Sequence, residues 1–269
     1  MSRTTSLITA TTLALAVSAG NAAGSSHHAS PSAPGGAAPN AGLSGAQMQS
    51  AFKAAVAKGT AVHVKGAFKQ TGQTYSLDVN LNKNGQAQGE VIQNGAVLPV
   101  KKVDGITYVQ LTPSFLKQDA AVDPSLTPDV IKMVQNKWVS SQTTAGKTLA
   151  SSFGDLTDYN AFTSMLAGGG ATATPSTPAS GSGTPMASPT SSSGIQLDNL
   201  TAAGTASVNG QTMAVYKNAA MGTTAYFAAS GPAYLEKLTT SGVETGAADF
   251  VWNKPVTVTP PPASEVFTG

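Results

Sequence analysis

No cysteine occurs anywhere in the 269 residues. That excludes a disulfide framework, a thiolate metal site, a cysteine nucleophile and a lipid-modified cysteine. Charge is scarce as well. Asp, Glu, Lys and Arg make up 10% of the chain, against roughly 25% in an ordinary soluble domain. The 15 basic and 13 acidic residues leave a net charge of +2, and no basic run is longer than Lys101-Lys102. Nucleic acid and anionic membrane surfaces both select a dense cationic face, so neither fits as a partner. Histidine is limited to His27, His28 and His63. No metalloprotease HExxH, P-loop, GxGxxG or GxSxG pattern is present.

What the chain does have is alternation and turns. Between Thr74 and Leu111, Tyr75, Leu77, Val79 and Leu81 alternate with Ser76, Asp78 and Asn80, the two-residue period of a strand with one apolar and one wet face. Asn84-Gly85, Asn94-Gly95 and Asp104-Gly105 follow at short intervals. These pairs tolerate the positive φ angles of tight hairpins, so the stretch is predicted to be four consecutive antiparallel strands. Such a sheet keeps one apolar face that other elements must cover.

The start of the chain reads differently. Arg3, the apolar run Leu7 to Val17 and the small residues Val17-Ser18-Ala19 predict an export signal over residues 1–20. The run is shorter than the roughly 20 apolar residues needed to span a bilayer, and no second apolar segment offers an anchor. Residues 21–43 are mostly Ala, Gly, Ser, Pro and Asn, too little apolar surface to offset ordering entropy, and predict a disordered tether. His27-His28 lies within it; adjacent histidines diverge and have no carboxylate nearby, so no metal site is expected.

The folded part is expected to begin at Ser44. Ser44-x-x-Gln47 forms a capping box, and Met48, Phe52, Ala55 and Val56 recur at helical spacing up to Gly59. Residues 61–69 alternate as a strand, with Val62, Val64 and Phe68 on one face and His63, Lys65 and Lys69 on the other. His63 is therefore a solvated strand residue and not a catalytic base. After the meander come TPSFLK and then Thr127-Pro128-Asp129, a strong helix start. Val130, Met133, Val134 and Trp138 continue at helical spacing, although Trp138-Val139-Ser140 could equally open a strand. A third helical pattern runs from Asp155 to Leu166 through Leu156, Tyr159, Phe162 and Met165, with Gly168 as its stop. Residues 168–194 are almost wholly Gly, Ser, Thr, Ala and Pro and read as a flexible insertion. Beyond it the pattern returns to hairpins, at Asn209-Gly210 and around Gly231-Pro232.

One sheet with the helices on one face uses all these apolar surfaces at once. The prediction is a single α+β domain over 44–269, interrupted by the insertion: a curved antiparallel sheet covered on its concave face by two or three helices. Asp119, Asp123, Asp129, Asp155 and Asp158 could pair as acid and base, but each also has an ordinary role as a cap, a first-turn charge or a turn residue. No enzyme activity, cofactor or metal is predicted. A curling sheet crossed by helices can close over an apolar cavity, and it can equally be filled as a solid core; periodicity does not separate the two.

Several segments, in their order, resemble a known family. The meander followed by a helix and Lys137-Trp138-Val139, the hairpin VNGQTMAVY (Val208 to Tyr216), the strand GPAYLEKL (Gly231 to Leu238) and the closing FVWNKPVTVTPP (Phe250 to Pro261) are similar to the actinobacterial LppX/LprG-type lipoproteins, relatives of the LolA carrier fold. The resemblance spans nearly all of 44–269 apart from the insertion. It implies a half-barrel with a hydrophobic cavity for lipids or acylated glycolipids, working outside the cytoplasmic membrane. Family members usually carry a lipobox cysteine, whereas this chain reads Val17-Ser18-Ala19-Gly20-Asn21; it should be secreted or held at the envelope by other means. The insertion falls where one cavity-covering helix would end, as a lid or as slack.

The expected protein is thus an exported, monomeric lipid-binding carrier, with a membrane or envelope protein as a possible further partner. The expected cavity lining is Phe52, Val56, Val64, Phe68, Leu77, Val79, Val130, Val134, Phe162 and Met165, from three helices and two strands. The alternative is a structural or interaction module of the envelope with a solid core. A third reading, a hydrolase using aspartates, has no motif behind it.

Overall fold

A computed structural model describes residues 38–70, 72–121, 126–167, 197, 199–242 and 244–267. The expected signal, most of the tether and the 168–194 insertion lie outside the described residues. A short 3-10 turn at Pro39–Gly42 leads into α1 (Gly45–Lys58) and the strands β1 (Ala61–Gln70), β2 (Gln73–Asn82), β3 (Ala87–Gln93), β4 (Ala96–Val103) and β5 (Ile106–Gln110). There follow α2 (Pro113–Asp119), α3 (Pro128–Val134), β6 (Trp138–Ser140), α4 (Thr144–Ser151) and α5 (Tyr159–Leu166). The last part holds β7 (Thr201–Val208), β8 (Gln211–Asn218), β9 (Thr223–Ala228), β10 (Leu235–Ser241), β11 (Glu244–Trp252) and β12 (Val266–Phe267).

All twelve strands form one open sheet in the order β12-β6-β5-β4-β3-β2-β1-β11-β10-β9-β8-β7. Every pairing is antiparallel except β12 on β6. From β1 the chain builds outward through β2–β6 as one wing, resumes at the opposite edge with β7 and builds inward to β11 beside β1 as the other, and β12 returns to β6. The fold class expected from the sequence, a curved antiparallel sheet covered by helices, is the one observed, with five α-helices among the described residues.

Local chemistry accounts for most boundaries. The Ser44 and Gln47 side chains cap α1 reciprocally, and its buried residues are Met48, Phe52, Ala55 and Val56. Asn94-Gly95, Asp104-Gly105 and Asn209-Gly210 all take positive φ at both residues, the requirement of the tight hairpin. At Asn84-Gly85 only the glycine does; the Asn84 side chain instead accepts a bond from the Gln86 N–H.

Three expectations are corrected, and one that stood open is resolved. Residues 39–42, expected in the tether, form a 3-10 turn packed on the sheet, where the buried Asn40 donates its side-chain amide to the Ala228 and Gly231 carbonyls. The helix from Thr127 ends at Val134, Asn136 turns with φ 60°, and Trp138 opens a strand. The pattern from Asp155 is two pieces: a 3-10 turn at Asp155–Thr157, then α5, started afresh by the Asp158 side chain accepting from the Asn160 and Ala161 N–H groups. Finally α2 and α4 were not expected; each begins at a threonine cap, Thr112 and Thr143.

Candidate functional site

Cross-strand register fixes which side chains share the helix-bearing inner face. One row reads Phe250, Val64, Val79, Gly89, Val100, Val109, Val139 across β11, β1, β2, β3, β4, β5 and β6. The next reads Ala248, Gly66, Leu77, Val91, Leu98. The outer face carries a different row in equally strict register: Lys237, Asp249, Lys65, Asp78, Glu90. Lys237 pairs with Asp249 at 3.1 Å and Lys65 with Asp78 at 2.7 Å. His63 lies on this outer face with its Nε2 2.6 Å from Asp78 Oδ1. The hydrogen bond from His63 is the chief cause, with Lys65 next, holding the Asp78 carboxyl below its usual value.

Two glycines of the inner face let neighbouring strands close on one another. A Cβ on Gly89 would lie 2.1 Å from the Asp78 carbonyl oxygen, and one on Gly246 would lie 2.3 Å from that of Ala67. Strand glycines of this kind mark a bend or a close backbone approach.

The inner face is filled unequally. Over β1, β2 and β8–β11, α1 and α5 bury a large cluster. Phe52 stands edge-on to Phe227 and Trp252 at centroid separations of 5.9 and 6.0 Å. The Tyr216 hydroxyl donates to the Asn40 and Leu43 carbonyls, and the Trp252 indole donates to Leu235. Over β4 and β5 the core is small: Leu98, Val109 and Leu149, flanked by the partly buried Leu111, Phe115 and Phe153. The helices of this wing contribute little to it. α2 buries Leu116, α4 buries Gly146 and Leu149, and α3 buries nothing.

The structure brings eight of the ten expected lining residues together. Phe52, Val56, Val64, Phe68, Val79 and Phe162 are in the large cluster, and Leu77 and Met165 pack against it. Val130 and Val134 are on α3, half-buried and outside both clusters.

An ion pair ties the start of α5 to the inner face. Lys102 sits in the row Trp252, Val62, Leu81, Ala87, Lys102, and its ammonium lies 3.2 Å from Asp158 Oδ2. Burial by itself raises the Asp158 carboxyl, but the Ala161 N–H, Lys102 and the Asn160 N–H outweigh it and hold the group below its usual value. Sequence reading missed this pair. The signal was present in Lys101-Lys102, since consecutive strand residues point to opposite faces and one of the two must turn inward.

Between α1 and α5 runs a cleft of about 440 Å³, lined by Lys53, Val56, Ala57, Lys83, Tyr159, Asn160, Thr163, Ser164 and Ala167. Burial pushes the Tyr159 phenol up to about 12, and its hydroxyl donates to the Val56 carbonyl at 2.8 Å. A second hollow, about 330 Å³, lies by β8–β10 beside Met213, Ser230 and Glu236. Among the described residues no group of three His, Asp or Glu side chains could hold a metal ion, and no helix is long and apolar enough to cross a membrane.

No protein-family model matches the chain, and a search of curated proteins returns no match. Solved structures do match. The lipoprotein LppX of Mycobacterium tuberculosis aligns over 79% of this chain and 97% of its own, at 17% identity and a TM-score of 0.42. LprF of Mycobacterium bovis aligns over 81% and 96%, at 11% identity and a TM-score of 0.45. MucB, solved in complex with MucA, aligns over 84% of this chain and 60% of its own, at 11% identity and a TM-score of 0.32.

Proposed function

We propose that this is an exported, non-enzymatic carrier of acyl lipids or acylated glycolipids in the cell envelope, holding hydrophobic chains between the sheet and its helices. The observation that carries it is apolar surface left open on α3 and half-covered on the inner face. α3 presents Val130, Ile131, Met133 and Val134, and none of them is buried; Met133 is 63% exposed. On the inner face, Leu77 and Val91 stay half-buried although their row-mate Leu98 is fully covered. An acyl chain would cover such surface at about 0.8 kcal/mol per buried methylene. On this reading Val130, Val134 and Leu77 are the residues of the expected lining that meet the ligand.

The test is uptake of a fluorescent fatty acid by the protein and by a Val130→Asp, Val134→Asp variant. Because Val130 and Val134 are only half-buried, the two charges should cost about 1 kcal/mol each in unfolding free energy, while uptake falls several-fold. Equal uptake by both proteins would remove α3 from the site.

A second reading has an observation of its own. The α1/α5 wing is packed around Phe52, which is fully buried against two aromatic rings. That suits a solid-core interaction module of the envelope without a ligand, which predicts no uptake of any amphiphile.

A further inference from the structure

We propose that the cleft between α1 and α5 seats the anionic head group of an amphiphile, phosphate or carboxylate, between Lys53 and Lys83. The proposal rests on the carrier reading and names the chemical class of the ligand's head group. The cleft is made from facing stripes of two helices. Lys53, Val56 and Ala57 share one face of α1, and Asn160, Thr163, Ser164 and Ala167 share one face of α5 at three- and four-residue spacing. Its volume of about 440 Å³ is that of a small-molecule site and far larger than one water needs.

The polar groups of its floor are already committed within the protein. The Tyr159 hydroxyl serves the Val56 carbonyl and the Thr163 hydroxyl serves the Tyr159 carbonyl, both at 2.8 Å. What the floor offers a ligand is therefore mostly carbon, from Val56, Ala57, Tyr159 and Ala167.

The rim is cationic. No carboxylate lines the cleft. Elsewhere Lys65, Lys102 and Lys237 each lie against an aspartate, but among the described residues no carboxylate pairs with Lys53 or Lys83. Lys83 gives one bond, at 2.6 Å, to the Ala57 carbonyl near the end of α1, which holds its ammonium at the cleft with donors left over. Two uncompensated ammonium groups over an apolar floor fit a molecule with a negative head and a hydrocarbon neck. A neutral glycoside head would gain nothing from them.

Calorimetric titration of the full chain at low salt, with dodecyl phosphate and dodecyl maltoside below their micelle concentrations, tests this. The expected result is about tenfold tighter binding of the phosphate, close to 1.4 kcal/mol. A Lys53→Gln, Lys83→Gln variant should bind the two alike, and Lys117→Gln on α2 should keep the preference. Inorganic phosphate alone should neither bind measurably nor displace dodecyl phosphate. Equal affinities in the unaltered protein, a preference that survives the double substitution, or inorganic phosphate binding as well as the amphiphile would each overturn the head-group site while leaving the carrier reading standing. Binding of neither amphiphile would overturn both.

Discussion

Asp158 Oδ1 accepts the backbone N–H groups of Asn160 and Ala161 at 3.0 Å each, while Oδ2 takes Lys102. One carboxylate thus starts α5 and ties it to the inner face. Asp158→Ala should cost about 0.5–2 kcal/mol as a lost cap, measurable by urea unfolding. Asp78 and Asp158 both titrate below the usual 3.8 in the folded protein. Their contribution to stability is complete above that value and is lost as pH falls through the folded ones, since the unfolded chain binds protons first. Thermal melting should therefore drop on acidification below about pH 4, and Asp78→Asn with Asp158→Asn should flatten that drop. Phe52 gives the opposite kind of test. Fully buried between Phe227 and Trp252, it should cost about 3–5 kcal/mol as Ala, and as Trp about 1–3 kcal/mol through overpacking. A Phe52→Trp variant as stable as the parent would mean that unfilled space lies beside α1.

At the level of elements, period and turn chemistry made much of the sheet legible. The strand from Ala61, the turns at Asn94-Gly95, Asp104-Gly105 and Asn209-Gly210, and the inward set of α1 all follow from residue types that few other conformations accept. What escaped were the short helices α2 and α4. α4 (TAGKTLAS) has one large apolar residue, Leu149, and a glycine on its buried side. That glycine is needed because a Cβ there would meet the Ser140 carbonyl oxygen at 1.9 Å. Helices so short are set by tertiary contact and not by propensity. The closing segment was equally hidden. After Trp252 the chain crosses to the far edge of the sheet. The buried Asn82 side chain donates to the Val256 carbonyl and accepts from its N–H, the Lys101 and Lys137 ammonium groups reach the Thr259 and Ser264 carbonyls, and β12 adds to β6. Asn82→Ala should cost about 1–3 kcal/mol, because it leaves buried backbone groups unpaired; a variant as stable as the parent would mean that this segment is held elsewhere.

Taken whole, α1 and α5 pack a large core over β1, β2 and β8–β11, and α2 and α4 sit over a small one at β4–β6. The inward faces could be read from the sequence, so six of the ten expected lining residues belong to one cluster and two more pack against it. The degree of filling could not be read, because periodicity states which side a residue faces and not what lies opposite. That is why Phe52 is a packed residue while Val130 and Val134 stay partly open. The cleft lysines were invisible for a similar reason: Lys53 reads as an ordinary polar position of a helix and Lys83 as a turn residue. Only the approach of α5 places them around one hollow. The central claim, that the chain carries acyl lipid, is tested most directly by native mass spectrometry of the protein secreted from an actinobacterial host. The account predicts added mass that is lost on denaturation and resolves into acyl species; a clean mass of the protein alone, with no amphiphile taken up afterwards, would contradict it.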